Sequence, residues 1–411
     1  MALAIHVVKL LFLVSLAYSN VAYGIVPLQN PSFESPPTNI RTNASSQFVL
    51  LNTLSNVIPG WSFQGTVWYV TGGNSVSLPG NGHGLQLGIN GMISQTFRHD
   101  FISDDYVLTF TLAPSSLSCA NSATAIRISG PSLSKVFTYK GSLGKETWQT
   151  YAYALWRNEV PTSSITLQIE SVAASSRSNS ACWPIIDDLL LTGINYPRIY
   201  TGNNGFLNGG FEVGPSFLEN SSQGILLEAE PNVDPLSPVQ SALQTWAVLG
   251  TVKYIDYGHY VTPKGLRAVE LISGNPSGVE YYATFTQRGQ ITLDFIIGDA
   301  GDSCVGDFTV IVQVGTQRWN FAMRSNGLGS SKEYSLTFYA SYSPTDVVPI
   351  SFASYNETRT SDNVLCGPVI NGLFAQHSYT GSRYGGSHSI RLHSGLVIFC
   401  FILAVTFLFF A

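Results

Sequence analysis

The chain has 411 residues, of which 11% are charged, and a net charge of −5 at pH 7. It contains no run of lysines or arginines able to follow a phosphate backbone, which excludes nucleic acid as a partner. Hydrophobic residues reach 45%, a figure inflated by apolar stretches at both ends, so the part between them is more polar than the average.

Residues 1–24 read as a signal peptide. Lys9 precedes the apolar run Leu10 to Ala17, and Ala22 and Gly24 form an A-x-G-like cleavage site before Ile25. An uncleaved anchor would need a longer apolar run.

From there the sequence is written twice. Asn30-Pro31-Ser32-Phe33-Glu34 returns as Asn208-Gly209-Gly210-Phe211-Glu212, and Pro59-Gly60-Trp61 as Gln244-Thr245-Trp246. The run Thr66 to Val70 answers to Thr251 to Ile255, and Gly84 to Leu87 answers to Ala268 to Leu271. Cys119 corresponds to Cys304, and Cys182-Trp183-Pro184-Ile185-Ile186-Asp187-Asp188 to Cys366-Gly367-Pro368-Val369-Ile370-Asn371-Gly372. A repeat this long exceeds a solenoid unit of about 20 to 50 residues, so each copy is expected to be a domain with its own core.

Within each copy, short alternating runs rich in Val, Ile, Thr, Tyr and Phe are separated by Gly, Pro, Asn and Ser. Examples are Tyr106 to Thr111, Ser164 to Ile169 and Phe308 to Gln313. This pattern predicts an all-β chain of two tandem jelly-roll β-sandwich domains, 25–199 and 200–378, with Tyr200 to Gly205 as the linker. Of the five cysteines, Cys400 falls in the apolar tail. The other four allow three pairings, and closure of each copy on itself predicts Cys119 with Cys182 and Cys304 with Cys366. The chain end reads as a lipid-anchor signal. The small triplet Gly385-Gly386-Ser387 and the rest of the spacer fall in 379–395, and the hydrophobic stretch 396–411 would be removed on attachment, most simply at Gly385. The competing reading is a short tail-anchoring helix. Asn43, Asn220 and Asn356 each begin an N-x-S/T glycosylation triplet.

The paired N-x-x-F-E openings, the tryptophan, the later cysteine and the closing Cys-Gly-Pro-Val-Ile, with Gly298-Asp299-Ala300 ahead of Cys304, resemble the plant cell-wall proteins classed as domain of unknown function 642. The resemblance runs from Ile25 to Phe374. It implies tandem galactose-binding-like domains, an extracellular place in the cell wall, binding of wall polysaccharide and association with pectin methylesterase. The anchor signal would add the outer face of the plasma membrane. The chain departs from the family pattern at Trp183, where Gly is usual, at Asn371-Gly372, where an Asp pair is usual, and in its tail.

No G-x-S-x-G, H-E-x-x-H or glycine-rich phosphate loop is present. The expectation is a non-catalytic protein binding wall polysaccharide. The alternatives are a protein-interaction module regulating a pectin methylesterase and a glycan-active hydrolase. A contiguous exposed apolar patch would favour the first alternative, and facing carboxyls about 5 to 10 Å apart in a cleft would favour the second. Aromatic faces suit sugar C–H surfaces, which nominates Trp61, Trp68 and Tyr69 in the first copy and Trp246, Tyr254 and Tyr257 in the second. Trp61 and Trp246 occupy equivalent positions, which also fits a shared core role. His83 and His259 lie in glycine-containing loops, where they are uronate contacts or solvated loop residues. No cofactor is required, but Glu34, Asp187 and Asp188, and more weakly Glu212, are placed to hold a structural calcium ion. The alternative is that the two glutamates accept backbone hydrogen bonds.

Overall fold

The computed structural model describes residues 24–377 except for 27, 41–45, 99–102, 104, 120–123, 132, 156–163, 173–181, 195–205, 220–222, 230–240, 273–275, 286–287 and 341–346. Residues 1–23 of the expected leader, the linker, the anchor region with Gly385, and Asn43 and Asn220 lie outside the described residues, while Gly24 opens the first strand.

The first copy contributes β1 (Gly24–Val26), β2 (Phe48–Leu50), β3 (Ser62–Gln64), β4 (Val67–Thr71), β5 (His83–Leu87), β6 (Met92–Arg98), β7 (Asp105–Pro114), β8 (Ala125–Ser129), β9 (Ser134–Thr138), β10 (Gln149–Ala154), β11 (Ser164–Ser171) and β12 (Pro184–Ile194). The second contributes β13 (Ile225–Glu228), β14 (Trp246–Leu249), β15 (Thr251–Asp256), β16 (Arg267–Glu270), β17 (Ser277–Thr284), β18 (Gly289–Gly298), β19 (Val305–Val314), β20 (Gln317–Asn326), β21 (Ser331–Ala340), β22 (Val347–Ser354), β23 (Thr358–Arg359), β24 (Leu365–Cys366) and β25 (Val369–His377). The all-β expectation holds. Each copy has a five-stranded sheet, β3-β6-β11-β8-β9 in the first and β14-β17-β22-β19-β20 in the second, and the strands correspond one for one.

The other layer is continuous. The first copy's β2-β4-β5-β12-β7-β10 and the second copy's β13-β15-β16-β25-β18-β21 form one 13-stranded sheet, with β1 paired to β12 beside this path. The joint is a parallel contact of β10 with β13, where Tyr151 stands opposite Leu226. Because side chains alternate across a strand, cluster membership shows which face each copy uses. Leu226 packs into the first copy's core beside Tyr151, while Ile225 and Leu227 pack into the second copy's core. That second core also takes Val107, Ala152 and Ile194 from the far side of β7, β10 and β12. The two five-stranded layers therefore lie on opposite faces of the shared sheet. Lys135 Nζ tightens the joint by donating to the carbonyls of Glu228 and Ala229 at 2.8 and 2.9 Å, and Gln223 Nε2 donates to Trp148 O at 3.1 Å.

The repeated opening motif is a structural clasp. Asn30 Oδ1 accepts from Ser35 N and Asn208 Oδ1 from Val213 N, both at 2.9 Å. This bends the chain so that Phe33 and Phe211 both sit at φ 55°, a rare conformation for a bulky residue. Each phenylalanine is fully buried against a tryptophan, with centroids 5.7 Å (Trp61) and 5.3 Å (Trp246) apart. Each Phe carbonyl accepts a tyrosine hydroxyl, from Tyr69 at 3.1 Å and Tyr254 at 2.8 Å. A buried Tyr or Trp needs a partner for its polar end, and the clasp supplies one in both copies. The disulfides are Cys119–Cys182 and Cys304–Cys366, closing loops with separations of 63 and 62.

Candidate functional site

Four of the nominated aromatics are interior residues. Trp61, Tyr69, Trp246 and Tyr254 are between 0 and 4% exposed, and the Trp61 and Trp246 indole N–H groups donate to Gln29 O (2.8 Å) and Leu207 O (3.0 Å). They cannot offer a ring to a sugar, because the clasp already covers them. Trp68 is partly buried and packs with Phe48 against Val70 and Ile185 on the outer side of the shared sheet. Tyr257 is the exception at 67% exposed.

The two histidines are held by acids. His83 Nδ1 lies 2.7 Å from Glu34 Oε2, and its ring stacks on Tyr69 with centroids 5.0 Å apart. His259 Nδ1 lies 2.8 Å from Asp256 Oδ1, which leaves His259 at the surface beside Tyr257. His83 shares its setting with Tyr69 and His259 with Tyr257, and the nominated residues do not converge on one site.

The calcium expectation is not met by the geometry. Glu34 Oε1 accepts the His83 backbone N–H at 2.7 Å while Oε2 faces the imidazole, so both oxygens are occupied. Glu212 Oε1 accepts from Leu266 N at 2.8 Å. Asp187 is 2% exposed, and its Oδ1 accepts from Asp188 N at 2.7 Å. Burial, with Asp188 and then Glu34 nearby, pushes the Asp187 carboxyl up to about 9. Burial, with Glu34 and Glu219 nearby, pushes Asp188 up to about 6. Among the described residues no group of three or more His, Cys, Asp or Glu side chains is arranged to hold a metal ion. In the second copy Asn371 takes the Asp187 position and donates through Nδ2 to the carbonyls of Lys264 and Arg267, both at 2.6 Å.

The surface with the right chemistry is one that the sequence did not nominate. On the second five-stranded sheet, Val279, Tyr281, Val310, Val312, Ile350 and Phe352 point into the core, so their neighbours in each strand point out. The register lines up Glu280 with Ser351, Ser351 with Gln313, and Gln313 with Arg318. This makes a row of carboxylate, hydroxyl, amide and guanidinium across four strands. Tyr282 flanks it on one side and donates to Glu280 Oε2 at 2.7 Å. On the other side, Tyr355, 49% exposed, follows β22 and lies under the Arg318 guanidinium at 5.5 Å. From Pro349, opposite Tyr282, to Tyr355 is about 20 Å of extended chain. Asn356, an expected glycosylation acceptor, is exposed beside Tyr355.

Among the described residues, the strand rows of the equivalent face of the first copy carry no ring. Its rows read Ser62-Ser94-Gln168-Ser129-Ser134 and Gln64-Met92-Glu170-Arg127-Val136; of its two described arginines, Arg127 is tied to Glu170 at 2.5 Å and Arg98 stands at the strand end opposite Ser164. The alternation Glu280-Tyr281-Tyr282 was a readable signal for the second face, with one tyrosine in and the next out. The partners across strands were not readable, since register is decided in three dimensions.

Sequence comparison fixes the family. The model of the family described as "Protein of unknown function (DUF642)" matches residues 26–192 and 205–375. The chain belongs to this family. Each match covers one copy of the repeat. Among its relatives, Protein TEEBE of Arabidopsis thaliana is 28% identical over 358 residues, covering 85% of this chain and 90% of that protein. Protein DUF642 L-GALACTONO-1,4-LACTONE-RESPONSIVE GENE 2, also of Arabidopsis thaliana, is 28% identical over 365 residues, covering 87% and 93%. Solved structures align at low scores. The N-terminal CBM22-1-CBM22-2 tandem domain from Paenibacillus barcinonensis Xyn10C has TM-score 0.25 at 12% identity, covering 87% of this chain and 98% of that one. The ANXUR1 extracellular domain from Arabidopsis thaliana has TM-score 0.29 at 9% identity, covering 81% and 95%. Similarity at this level says nothing about what this chain binds.

Proposed function

We propose that this DUF642 protein is a non-catalytic, extracellular glycan-binding protein of the plant cell wall, held at the outer face of the plasma membrane by a lipid anchor. The observation that carries the reading is the outward row Glu280-Ser351-Gln313-Arg318 between Tyr282 and Tyr355. It combines rings for sugar C–H faces with donors and acceptors for hydroxyls, on rigid strands. The test is binding of the ectodomain, Ile25 to Tyr384, to wall polysaccharides, with assay of the same samples for released sugar. Saturable binding lost in Tyr282→Ala and Tyr355→Ala, with no product, supports the reading. Released sugar would move the protein to the hydrolase class.

A second reading has its own observation. Tyr257, Val261, Leu266 and Leu328 are 67, 41, 54 and 80% exposed. Tyr257 N donates to Leu266 O, and Val261 lies against Gly329, next to Leu328. An exposed apolar group of this kind suits a protein partner, such as the pectin methylesterase that the family resemblance suggests. Loss of enzyme capture in Leu266→Ser with Leu328→Ser, with glycan binding retained, would assign the patch to it.

A further inference from the structure

The row across the second five-stranded sheet is electrostatically lopsided. At one end Glu280 already accepts the Tyr282 hydroxyl. At the other end Arg318 is exposed, and among the described residues no carboxylate pairs with it; its guanidinium lies over the Tyr355 ring. The two ends are three strand spacings apart, roughly 14 Å. That exceeds the Debye length at physiological salt, about 8 Å, so Glu280 does not cancel the charge of Arg318.

An arginine stacked on a tyrosine presents its planar fork beside an aromatic face. That pairing matches a ring carrying both an apolar C–H surface and a carboxylate. A neutral sugar would use the Tyr355 ring but leave the guanidinium without an anion. Among the described residues the first copy shows no such pair: Arg127 is neutralised by Glu170, and no ring stands in the outward strand rows beside Arg127 or Arg98.

We propose that the Arg318–Tyr355 end of this face selects an acidic sugar, a uronate residue, with its carboxylate on the Arg318 fork and its ring on Tyr355, while the Glu280 end takes neutral hydroxyls. The site then has a polarity: one acidic residue of a glycan is read at β20, and the rest of the chain extends over Gln313 and Ser351 toward Tyr282. This rests on the glycan-binding reading above and adds the class of sugar.

The test compares binding of an oligogalacturonide with that of its methyl ester, in which a methyl group replaces the carboxylate charge, at low and high salt, using the whole ectodomain with Asn356→Gln to remove any attached glycan beside Tyr355. The expected result is a preference for the acid of about tenfold or more at low salt, shrinking as salt rises. In Arg318→Gln the acid-to-ester ratio falls to near one. Arg318→Lys falls between, because the charge remains without the fork. Arg288→Gln is the control, since Arg288 lies over Tyr339 at 5.6 Å, away from this face, and it leaves the ratio unchanged. Binding of both forms with no acid preference, or a preference that survives Arg318→Gln, overturns the uronate assignment and leaves glycan binding standing. Binding of neither form, nor of any neutral wall polysaccharide, overturns both.

Discussion

The two copies of the module have the same strand order, yet they treat equivalent surfaces in opposite ways. On the first copy, Thr109, Thr111 and Ala152 on the outer side of β7 and β10 are between 0 and 3% exposed, because the second copy's core extends over this side of the sheet. On the second copy, the matching positions of β18 and β21 carry Asp294, Glu333, Ser335 and Thr337, and the three β21 residues are exposed. One fold thus makes a joint in one place and a solvated face in the other. Small and apolar residues license the joint, and charges close off the same edge where no copy follows, as sheet edges generally require.

The interior shows a second divergence. Trp68 and Gln86, paired in register in the first copy, correspond to Lys253 and Glu270 in the second, also paired in register. Their side chains form an ion pair at 2.8 Å with exposures of 5% and 0%. Gly367 N donates to the other Glu270 oxygen at 3.1 Å. Burial opposes the Lys253 charge, but Glu270 more than offsets this and holds the ammonium above its ordinary range. A buried pair of this kind is fragile to loss of one member and tolerant of loss of both.

The sharpest way to break the comparison is to place one charge in equivalent positions. Ala152→Glu should cost about 3 to 5 kcal/mol, because it buries an unpaired carboxylate in the joint. Ser335→Glu, its counterpart, should stay within about 0.5 kcal/mol. Denaturant unfolding measures both, and similar losses would mean that the joint is not where the cores meet. Next, Lys253→Met alone should destabilise by about 3 kcal/mol, while Lys253→Met with Glu270→Gln should recover most of that. No recovery would show that the pair contributes net stability.

A smaller effect separates the two closing motifs. The native Asp187 carboxyl is raised above its unfolded value, so its contribution is fully present below the ordinary carboxylate range, near 3.8, and is lost as pH rises through about 9. Asp187→Asn, which copies Asn371, should therefore raise stability at pH 7 by about 1 to 3 kcal/mol and flatten the pH dependence. If added calcium stabilises the wild type and not Asp187→Asn, the acids are metal ligands after all. The smallest structural effect is expected for Tyr282→Ala. It should weaken glycan binding, with thermal unfolding nearly unchanged because the ring is on the outer face. Loss of fold instead would place Tyr282 in the core.

The legible parts of this molecule were those written in local pattern or in repetition. Alternating β-branched and aromatic runs announced the strands, and the cysteine spacing announced two self-closing copies, which Cys119–Cys182 and Cys304–Cys366 realise. The site was harder to see for a reason visible in its residues. Trp61, Trp246 and Tyr254 drew attention as aromatics, but composition carries no inward or outward label. The repetition that marked Trp61 and Trp246 reflects the clasp they complete.

The sequence by itself determined that this chain is a duplicated all-β protein of one family, because hydrophobic period and repeated landmarks are local quantities. Only the tertiary structure decided that the copies share one sheet on opposite faces and that Glu280, Ser351, Gln313 and Arg318 form a row. Register and face are set by which strands pair, and those pairings join residues as far apart as Glu280 and Ser351.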